Sequence, residues 1–206
     1  MIRVKICGIT NKEDALKAVY YGAWALGFIF YRKSPRYISP SRVRKIVEQL
    51  PPFVTPVGVF VNPRERELHD VCHFTRIQTV QLHGDEDASF CKRLKNYKII
   101  KAFRVSPDFD FAKIANYKVD AYLFDTFKDD QYGGTGEVFS WDLLKDKKWD
   151  RPVILSGGLS ADNIQDAVTC VHPFAVDVSS SLEKSPGVKD PALIRAFFKS
   201  MSLVPS

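Results

Sequence analysis

Several features are scarce in this 206-residue sequence, and each absence narrows what the chain can do. Its four cysteines, Cys7, Cys72, Cys91 and Cys170, are widely spaced and form no C-x-x-C pair. This spacing argues against a disulfide framework and indicates reduced thiols in a cytoplasmic protein. No apolar run approaches the ~20 residues that a membrane-spanning helix needs, and we expect no signal peptide and no membrane partner.

The chain also shows no low-complexity segment and no composition shift that would mark a linker. It is 45% hydrophobic and 26% charged, which is ordinary for a globular protein of this length. We therefore expect a single domain that spans residues 1–206. We favour a monomer.

Positive charge exceeds negative charge, giving a net charge of +6 at pH 7. This excess suits an anionic ligand and would also suit weak binding to nucleic acid. The region 32–45 is rich in basic residues, and Tyr37 lies among them. However, no nucleic-acid-binding motif accompanies these charges, so they indicate a basic loop and a solvated helix face. We expect no nucleic-acid partner.

Short apolar segments alternate with amphipathic stretches along the whole chain. Eight of these segments are predicted to be strands: 4–7, 23–30, 53–61, 77–82, 99–103, 121–124, 153–155 and 174–178. Strands that alternate with helices form parallel sheets, and eight such units close into a (β/α)₈ barrel. An open doubly wound sheet is the alternative, but the first turn lacks the glycine-rich fingerprint of that fold.

The stretch Val-Lys-Ile-Cys-Gly-Ile-Thr (4–10) ends the first strand and begins the first helix. Thr10 and Glu13 have the spacing of a capping box, so we expect Thr10 to cap that helix. Side chains alternate along a strand, so Lys5 and Cys7 share one face. A neighbouring ammonium favours thiolate, the form of cysteine that acts as a base or nucleophile. We therefore expect Lys5 to activate Cys7.

A phosphate site is predicted after the seventh and eighth strands. Gly157 and Gly158 allow close approach of the backbone, and a helix that begins at Ser160 would direct its free N–H groups at an anion. Three serines, Ser179, Ser180 and Ser181, follow the eighth strand and offer more donors. Loops in these two positions commonly bind phosphate in barrels.

Other polar residues also follow strands, and in a barrel they would converge at one mouth. They include Arg36, His83, Asp125 and Asp177. A Gly-Gly-Thr-Gly run (133–136) lies in a long polar loop and lacks the spacing of a dinucleotide fingerprint.

A possible metal-binding group lies elsewhere in the sequence. His69, Cys72 and His73 have the spacing of metal ligands on one face of a helix. They lie far from the strand ends, and no carboxylate-rich segment accompanies them. We interpret them as a partly buried helix face and expect no metal.

A series of motifs stands in order along the chain. They are Val-Lys-Ile-Cys-Gly-Ile-Thr (4–10), Gly-Phe-Ile-Phe (27–30), Ser-Pro-Arg (34–36), Gly-Val-Phe-Val-Asn (58–62), Gln-Leu-His-Gly (81–84), Asp-Thr (125–126), Gly-Gly-Thr-Gly (133–136), Leu-Ser-Gly-Gly-Leu (155–159), Val-Asp-Val-Ser-Ser (176–180) and Ser-Pro-Gly-Val-Lys-Asp (185–190). Through these motifs, of which the first is the most specific, the sequence resembles the phosphoribosylanthranilate isomerase family along essentially its whole length.

The resemblance implies an Amadori rearrangement of N-(5′-phosphoribosyl)anthranilate in tryptophan biosynthesis, without cofactor or metal. It implies that Asp125 is the general acid and Cys7 the general base. Asp125 follows two apolar residues, so we expect partial desolvation to keep some of it protonated. We expect Arg36 to bind the anthranilate carboxylate through its fork of donors. The expected phosphate ligands are Gly157, Gly158, Ser179 and Ser180, and Asp177 is expected to contact sugar hydroxyls.

The sequence departs from the family at Ser181, because the family usually has glycine there. This departure bears on the backbone path of the last phosphate loop. The alternative function is a barrel isomerase of the histidine-biosynthesis type, which uses a pair of aspartates. Here the first strand carries Cys7 instead.

Overall fold

The structure is a computed structural model that describes residues 2–126 and 141–203. Its parallel strands form a closed barrel in which each strand pairs with the next and the eighth pairs with the first. The strands are β1 Arg3–Cys7, β2 Ala25–Ile29, β3 Thr55–Phe60, β4 Thr79–Leu82, β5 Lys98–Val105, β6 Ala121–Thr126, β7 Val153–Leu155 and β8 Ala175–Val178. The (β/α)₈ barrel predicted from the sequence is confirmed.

Helices surround the barrel on its outer side. The α-helices of the described residues are α1 Lys12–Tyr21, α2 Pro40–Val47, α3 Glu65–Thr75, α4 Ala88–Arg93, α5 Ile164–Val171 and α6 Pro191–Met201. Short 3₁₀ segments cover Phe111–Asn116, Trp141–Leu143 and Ser180–Leu182, and a hairpin of β9 Glu183–Ser185 and β10 Val188–Lys189 follows β8. Among these residues, no helix is long and apolar enough to cross a membrane.

The predicted cap of the first helix is wrong by one residue. Asn11 is the N-cap, and its side chain accepts a hydrogen bond from the backbone N–H of Asp14 at 2.8 Å. Thr10 instead donates its hydroxyl to the carbonyl of Gly187, in the turn of the β9–β10 hairpin. Residue 10 therefore links the first loop to the last one, a long-range contact that a local capping pattern cannot reveal.

Alternation along the strands divides the core into two layers. The outer layer packs β-strand side chains such as Ile6, Phe124 and Val176 against the helices. The lumen holds a smaller apolar cluster of Val57, Ile100, Ala102, Ala121, Leu123, Ile154 and Ala175. Lys5, Gln81 and Asp177 are buried polar residues of β1, β4 and β8. The buried polar side chains of the barrel therefore lie next to the apolar cluster of the lumen.

A buried ion pair braces the loops that follow β3 and β4. Lys101 donates to Glu86 at 2.8 Å, and both side chains are 3% exposed. Glu86 also accepts hydrogen bonds from the backbone N–H groups of Asn62 and Gly84. Lys101 further donates to the carbonyl of Gly84 at 2.8 Å. One carboxylate and one ammonium thus fix both loops beside His83.

We predict that Lys101→Met strongly destabilises the fold, because it leaves the Glu86 carboxylate buried without its cation. Removing one partner of a buried pair typically costs about 3–5 kcal/mol. The control is Lys98→Met on the same strand, which breaks an exposed ion pair with Asp120 and should have a much smaller effect. Urea unfolding of the two variants measures both changes, and equal losses would contradict the bracing role.

Candidate active site

One cavity opens at the carboxyl ends of the strands. Its lining residues are Cys7, Ile29, Tyr31, Ser34, Arg36, Val59, Val61, Gln81, His83, Asp125, Ser156, Asp177 and Ser179. The structure therefore brings together five of the residues proposed from the sequence, which are Cys7, Arg36, Asp125, Asp177 and Ser179. The remaining three, Gly157, Gly158 and Ser180, lie in the loops that follow β7 and β8.

The floor of this cavity is an ion pair between β1 and β8. The ammonium of Lys5 donates to both carboxylate oxygens of Asp177 at 2.8 Å. Each side chain is 4% exposed. Burial by itself would lower the pKa of Lys5, but the charge and hydrogen bonds of the Asp177 carboxylate outweigh burial and raise it. Lys5 therefore carries its positive charge inside the barrel.

The Cys7 thiol lies beside this pair, which affects its pKa. Cys7 is 7% exposed, and its burial raises the pKa of the thiol. The charges of Lys5 and Lys189 oppose that effect without overcoming it. Lys5 therefore favours the thiolate, as the sequence predicts, but burial has the larger effect and the net pKa of the thiol is raised. The Asp177 carboxylate, which accepts two hydrogen bonds from Lys5, also disfavours the thiolate.

Asp125, at the end of β6, has a histidine beside its carboxylate. The Nε2 atom of His83 lies 3.2 Å from Oδ2 of Asp125, and both residues are buried. The amide nitrogen of Gln81 lies 2.8 Å from Nδ1 of His83. With that amide donating, the ring proton belongs on Nε2, the nitrogen nearer to Asp125. The sequence placed His83 at the mouth but gave no sign of this contact.

Arg36 enters the cavity from the loop after β2, and its stem passes directly over Gly8. A Cβ atom on residue 8 would lie only 2.7 Å from Cδ of Arg36, and the φ angle of Gly8 is +77°. The guanidinium is held from behind by Glu183, with Nε–Oε1 at 2.9 Å and Nη2–Oε2 at 2.8 Å. Although burial raises the pKa of Glu183, the hydrogen bonds from Arg36 and the charge of Lys189 hold it below its ordinary value.

The loop after β7 differs from the phosphate loop that was predicted. The helix begins at Ile164 and not at Ser160, so the expected helix terminus beside the glycines is wrong. The side chain of Asn163 closes the intervening turn by accepting from the N–H of Ser160 and donating to the carbonyl of Gly158, both at 2.9 Å. The Ser160 amide is therefore already used.

Backbone donors of the two loops nevertheless remain. Gly157 and Gly158 have φ angles of +90° and +65°. Within residues 2–126 and 141–203, no protein acceptor engages the backbone N–H groups of Gly157, Gly158 or Ser180. Such donors suit an anion, so loop amides are the candidate phosphate ligands in place of the expected helix terminus.

Ser181 connects these two loops directly. Its hydroxyl donates to the carbonyl of Leu159, which follows the glycine pair. Ser181 is not one of the described residues that have a positive φ angle, so this position does not require a glycine. The departure from the family pattern thus adds a tether between loops and leaves the backbone path unstrained.

The His69, Cys72 and His73 group lies on α3 and does not line the cavity. The Gly-Gly-Thr-Gly run (133–136) lies outside the described residues. His69 contacts the hydroxyl of Tyr97 through Nδ1 at 2.9 Å, while Cys72 is buried in the outer core. Among the described residues, no cluster of three or more His, Cys, Asp or Glu could hold a metal ion.

A comparison with known families decides the classification. The model of the N-(5′-phosphoribosyl)anthranilate (PRA) isomerase family matches residues 4–200. The chain belongs to this isomerase family. A curated family member from Geotalea uraniireducens is 48% identical over 199 residues, which is 97% of this chain and 98% of the relative. Another, from Thermotoga maritima, is 48% identical over 202 residues, with the same coverage of 97% and 98%.

Solved structures of the family share this architecture. The crystal structure of the T. maritima isomerase superposes with a TM-score of 0.90 at 45% identity, covering 98% of this chain and 99% of that one. A phosphoribosylanthranilate isomerase in complex with reduced 1-(o-carboxyphenylamino)-1-deoxyribulose 5-phosphate gives a TM-score of 0.87 at 44% identity, with the same coverage. The family resemblance recognised in the sequence is confirmed.

We predict that the Cys7 thiol of the free isomerase titrates at higher pH than an ordinary cysteine. A raised pKa means that the thiol stays protonated below the ordinary value and ionises only as the pH rises further. The measurement is the ultraviolet absorbance of thiolate against pH in the wild type minus that in Cys7→Ser. This difference removes the absorbance of Cys72, Cys91 and Cys170, because both proteins contain these three thiols. A difference curve centred below the ordinary value would contradict the prediction.

Proposed function

We propose that this chain converts N-(5′-phosphoribosyl)anthranilate to 1-(o-carboxyphenylamino)-1-deoxyribulose 5-phosphate, a step of tryptophan biosynthesis. The observation that carries the proposal is that Cys7, Asp125 and Arg36 line one cavity, which the loops after β7 and β8 border through Ser156 and Ser179. The neighbouring amides of Gly157, Gly158 and Ser180 have no protein acceptor among the described residues. This arrangement supports a substrate with an anion at each end and a reacting sugar between them. The family match supports the same substrate.

The substrate would be held at both ends. Arg36 presents the donors that Glu183 leaves unused, which suits the planar carboxylate of the anthranilate ring. Apolar side chains of Ile29, Val59 and Val61 line the same cavity and suit the ring itself. The amides of Gly157, Gly158, Ser179 and Ser180 are the proposed phosphate ligands. Two distant anchors of this kind fix the sugar carbons between them.

The rearrangement needs an acid and a base. Asp125 in its protonated form donates to the furanose ring oxygen, the bond from that oxygen to C1′ breaks, and an iminium forms between C1′ and the nitrogen. The Cys7 thiolate then removes the proton from C2′, which gives an enolamine. A proton added at C1′ and the loss of the C2′ hydroxyl proton complete the ketone. Asp177 would accept hydrogen bonds from the sugar, since carboxylate oxygens bonded to Lys5 keep further acceptor capacity.

The raised pKa of Cys7 fits a base that acts through the small fraction of the thiol that is ionised. Desolvation makes the thiolate scarce, but a thiolate of higher pKa is also the stronger base once it forms. The ammonium groups of Lys5 and Lys189 limit the penalty. The alternative isomerase of the histidine-biosynthesis type would need an aspartate at residue 7, where this chain has cysteine.

We predict that Cys7→Ser and Asp125→Asn each lower kcat by about 10²–10⁴-fold, the usual contribution of a positioned acid or base. KM should change little, because neither residue holds an anionic end of the substrate. Turnover is followed as the loss of fluorescence of freshly made phosphoribosylanthranilate. A wild-type enzyme that leaves this substrate unchanged would overturn the proposed function. A Cys7→Ser enzyme with near wild-type kcat would remove the thiol from the mechanism.

Cytoplasmic location, a single domain over residues 1–206 and a monomeric state stay predictions.

One observation favours a dimer instead. Phe53 is 91% exposed, and Trp24 and Phe174 are about half exposed. The three residues precede β3, β2 and β8, so they lie at the amino-terminal end of the barrel. A further solved structure contains monomers generated from the dimeric T. maritima isomerase, with a TM-score of 0.86 at 42% identity, covering 98% of this chain and all of that one. We infer that a second copy covers this aromatic face.

We predict that Phe53→Ser shifts the protein from dimer to monomer, because it removes the most exposed aromatic side chain of the face. The control is Phe74→Ser, which changes a half-exposed phenylalanine of α3. Analytical ultracentrifugation over a range of concentrations gives the mass of each variant. A wild-type protein that sediments as a monomer at all concentrations would restore the monomer predicted from the sequence.

A further inference from the structure

The hairpin after β8 carries two buried charges that the reaction scheme does not use. Glu183 begins β9, and Lys189 ends β10. The side chain of Glu183 is 4% exposed and that of Lys189 is fully buried. Neither residue lines the cavity, although Arg36 does. The hairpin therefore stands behind the arginine, on the side away from the substrate.

Glu183 holds one edge of the guanidinium at two points. Its carboxylate accepts from Nε of Arg36 at 2.9 Å and from Nη2 at 2.8 Å, the two-point geometry of a strong arginine–carboxylate pair. This contact fixes the plane of the guanidinium. It uses the inner edge of the donor fork and leaves Nη1 and the second hydrogen of Nη2 for another acceptor.

Lys189 in turn holds Glu183. Its ammonium donates to Oε1 of Glu183 at 2.8 Å and to the carbonyl of Ser179 at 3.0 Å. The hydroxyl of Ser179 donates to the carbonyl of Cys7 at 3.1 Å. The backbone N–H of Lys189 donates to Asp14 in α1 at 2.8 Å. The carboxylate behind Arg36 is thus anchored to β1, β8 and α1.

The turn of the hairpin is also fixed against the loop that carries Arg36. A Cβ atom on Gly187 would lie 3.4 Å from the carbonyl oxygen of Pro35, and the φ angle of Gly187 is +80°. Thr10 donates its hydroxyl hydrogen bond to the carbonyl oxygen of Gly187. Contacts of the backbone and of the side chains therefore hold the hairpin in one position relative to Arg36.

The charges of this group do not cancel. Arg36 and Lys189 are cationic and Glu183 is anionic, so the group keeps one positive charge at the edge of the cavity. A substrate carboxylate would balance it. Without Glu183, two neighbouring cations would repel, and the flexible arginine stem would lose rotamer freedom only when substrate binds.

We propose that Glu183 is a positioning residue that presets the Arg36 guanidinium for the carboxylate on the aromatic ring, and that Lys189 locks Glu183 in place. This inference rests on the proposed function, because it takes Arg36 as the group that binds that carboxylate. It assigns the hairpin of β9 and β10 a part in substrate selection.

The test is a double-mutant cycle of Glu183→Gln and Arg36→Met, with Glu183→Asp as the conservative variant. Each enzyme is assayed with phosphoribosylanthranilate and with N-(5′-phosphoribosyl)aniline, which lacks the carboxylate. Glu183→Gln should raise KM for the first substrate by about tenfold or more with kcat within about twofold, because the preset contact is lost in ground and transition states alike. KM for the aniline substrate should stay within about twofold of the wild type by the same reasoning.

In the Arg36→Met background, adding Glu183→Gln should change KM by less than about twofold, since residues that act through one contact are not additive. Glu183→Asp keeps the charge, and its KM should lie between that of the wild type and that of Glu183→Gln. Additive effects in the cycle, or equal losses with both substrates, would overturn the inference and indicate a merely structural role. If Glu183→Gln fails to fold, the same comparison of substrates is made with Glu183→Asp, where an unchanged preference for the carboxylate would overturn it.

Assay of the wild-type enzyme distinguishes a failure of the positioning role from a failure of the proposed function. If it turns over phosphoribosylanthranilate while the Glu183 variants keep wild-type KM, only the positioning role fails. If it turns over neither substrate, the proposed function fails and the inference fails with it.

Discussion

The ion pair of Lys5 and Asp177 lies across the seam where the last strand of the barrel meets the first. Its two hydrogen bonds of 2.8 Å join β8 to β1 inside the lumen, between the apolar cluster and the open mouth. Removing one partner of such a pair would leave an uncompensated charge in the barrel. The pair therefore couples closure of the fold to the charge state of the site.

This pair also sets the chemistry of its neighbour. Burial raises the pKa of the Cys7 thiol most, the Lys5 ammonium lowers it and the Asp177 carboxylate raises it, so the net pKa is raised. Similar pairing occurs at the cavity's edge, where Glu183 holds Arg36 and Lys189 holds Glu183. Both groups are networks in which each charge has a fixed partner, and such preorganisation needs no rearrangement when substrate binds.

The fold could be predicted from the sequence because it depends on local signals. The apolar segments of strand length are each recognised within a few residues, and the structure has a barrel strand within or overlapping each of the eight predicted segments. The convergence of Cys7, Arg36, Asp125, Asp177 and Ser179 followed from the barrel, since parallel strands end at one face.

Most of the errors concern contacts between distant segments, and one concerns a local turn. Thr10 bonds to Gly187 instead of capping α1, and Lys5 meets Asp177, 172 positions away. The helix expected at Ser160 begins later because the side chain of Asn163 closes the preceding turn. Glu183 gave no signal at all, because a lone glutamate after a strand is ordinary until its partner Arg36 is known. Pairings of this kind depend on the folded topology and not on local sequence pattern.

The central claim is that the buried thiol of Cys7 is the base that removes the C2′ proton. The most direct measurement is the pH profile of kcat/KM for phosphoribosylanthranilate, set beside the titration of the thiol in the free enzyme. When the base titrates above the acid, the alkaline limb of the bell reports the base. The account predicts that this limb lies above the ordinary cysteine range and coincides with the titration of Cys7. An alkaline limb that falls at a different pH from the thiol titration would contradict it.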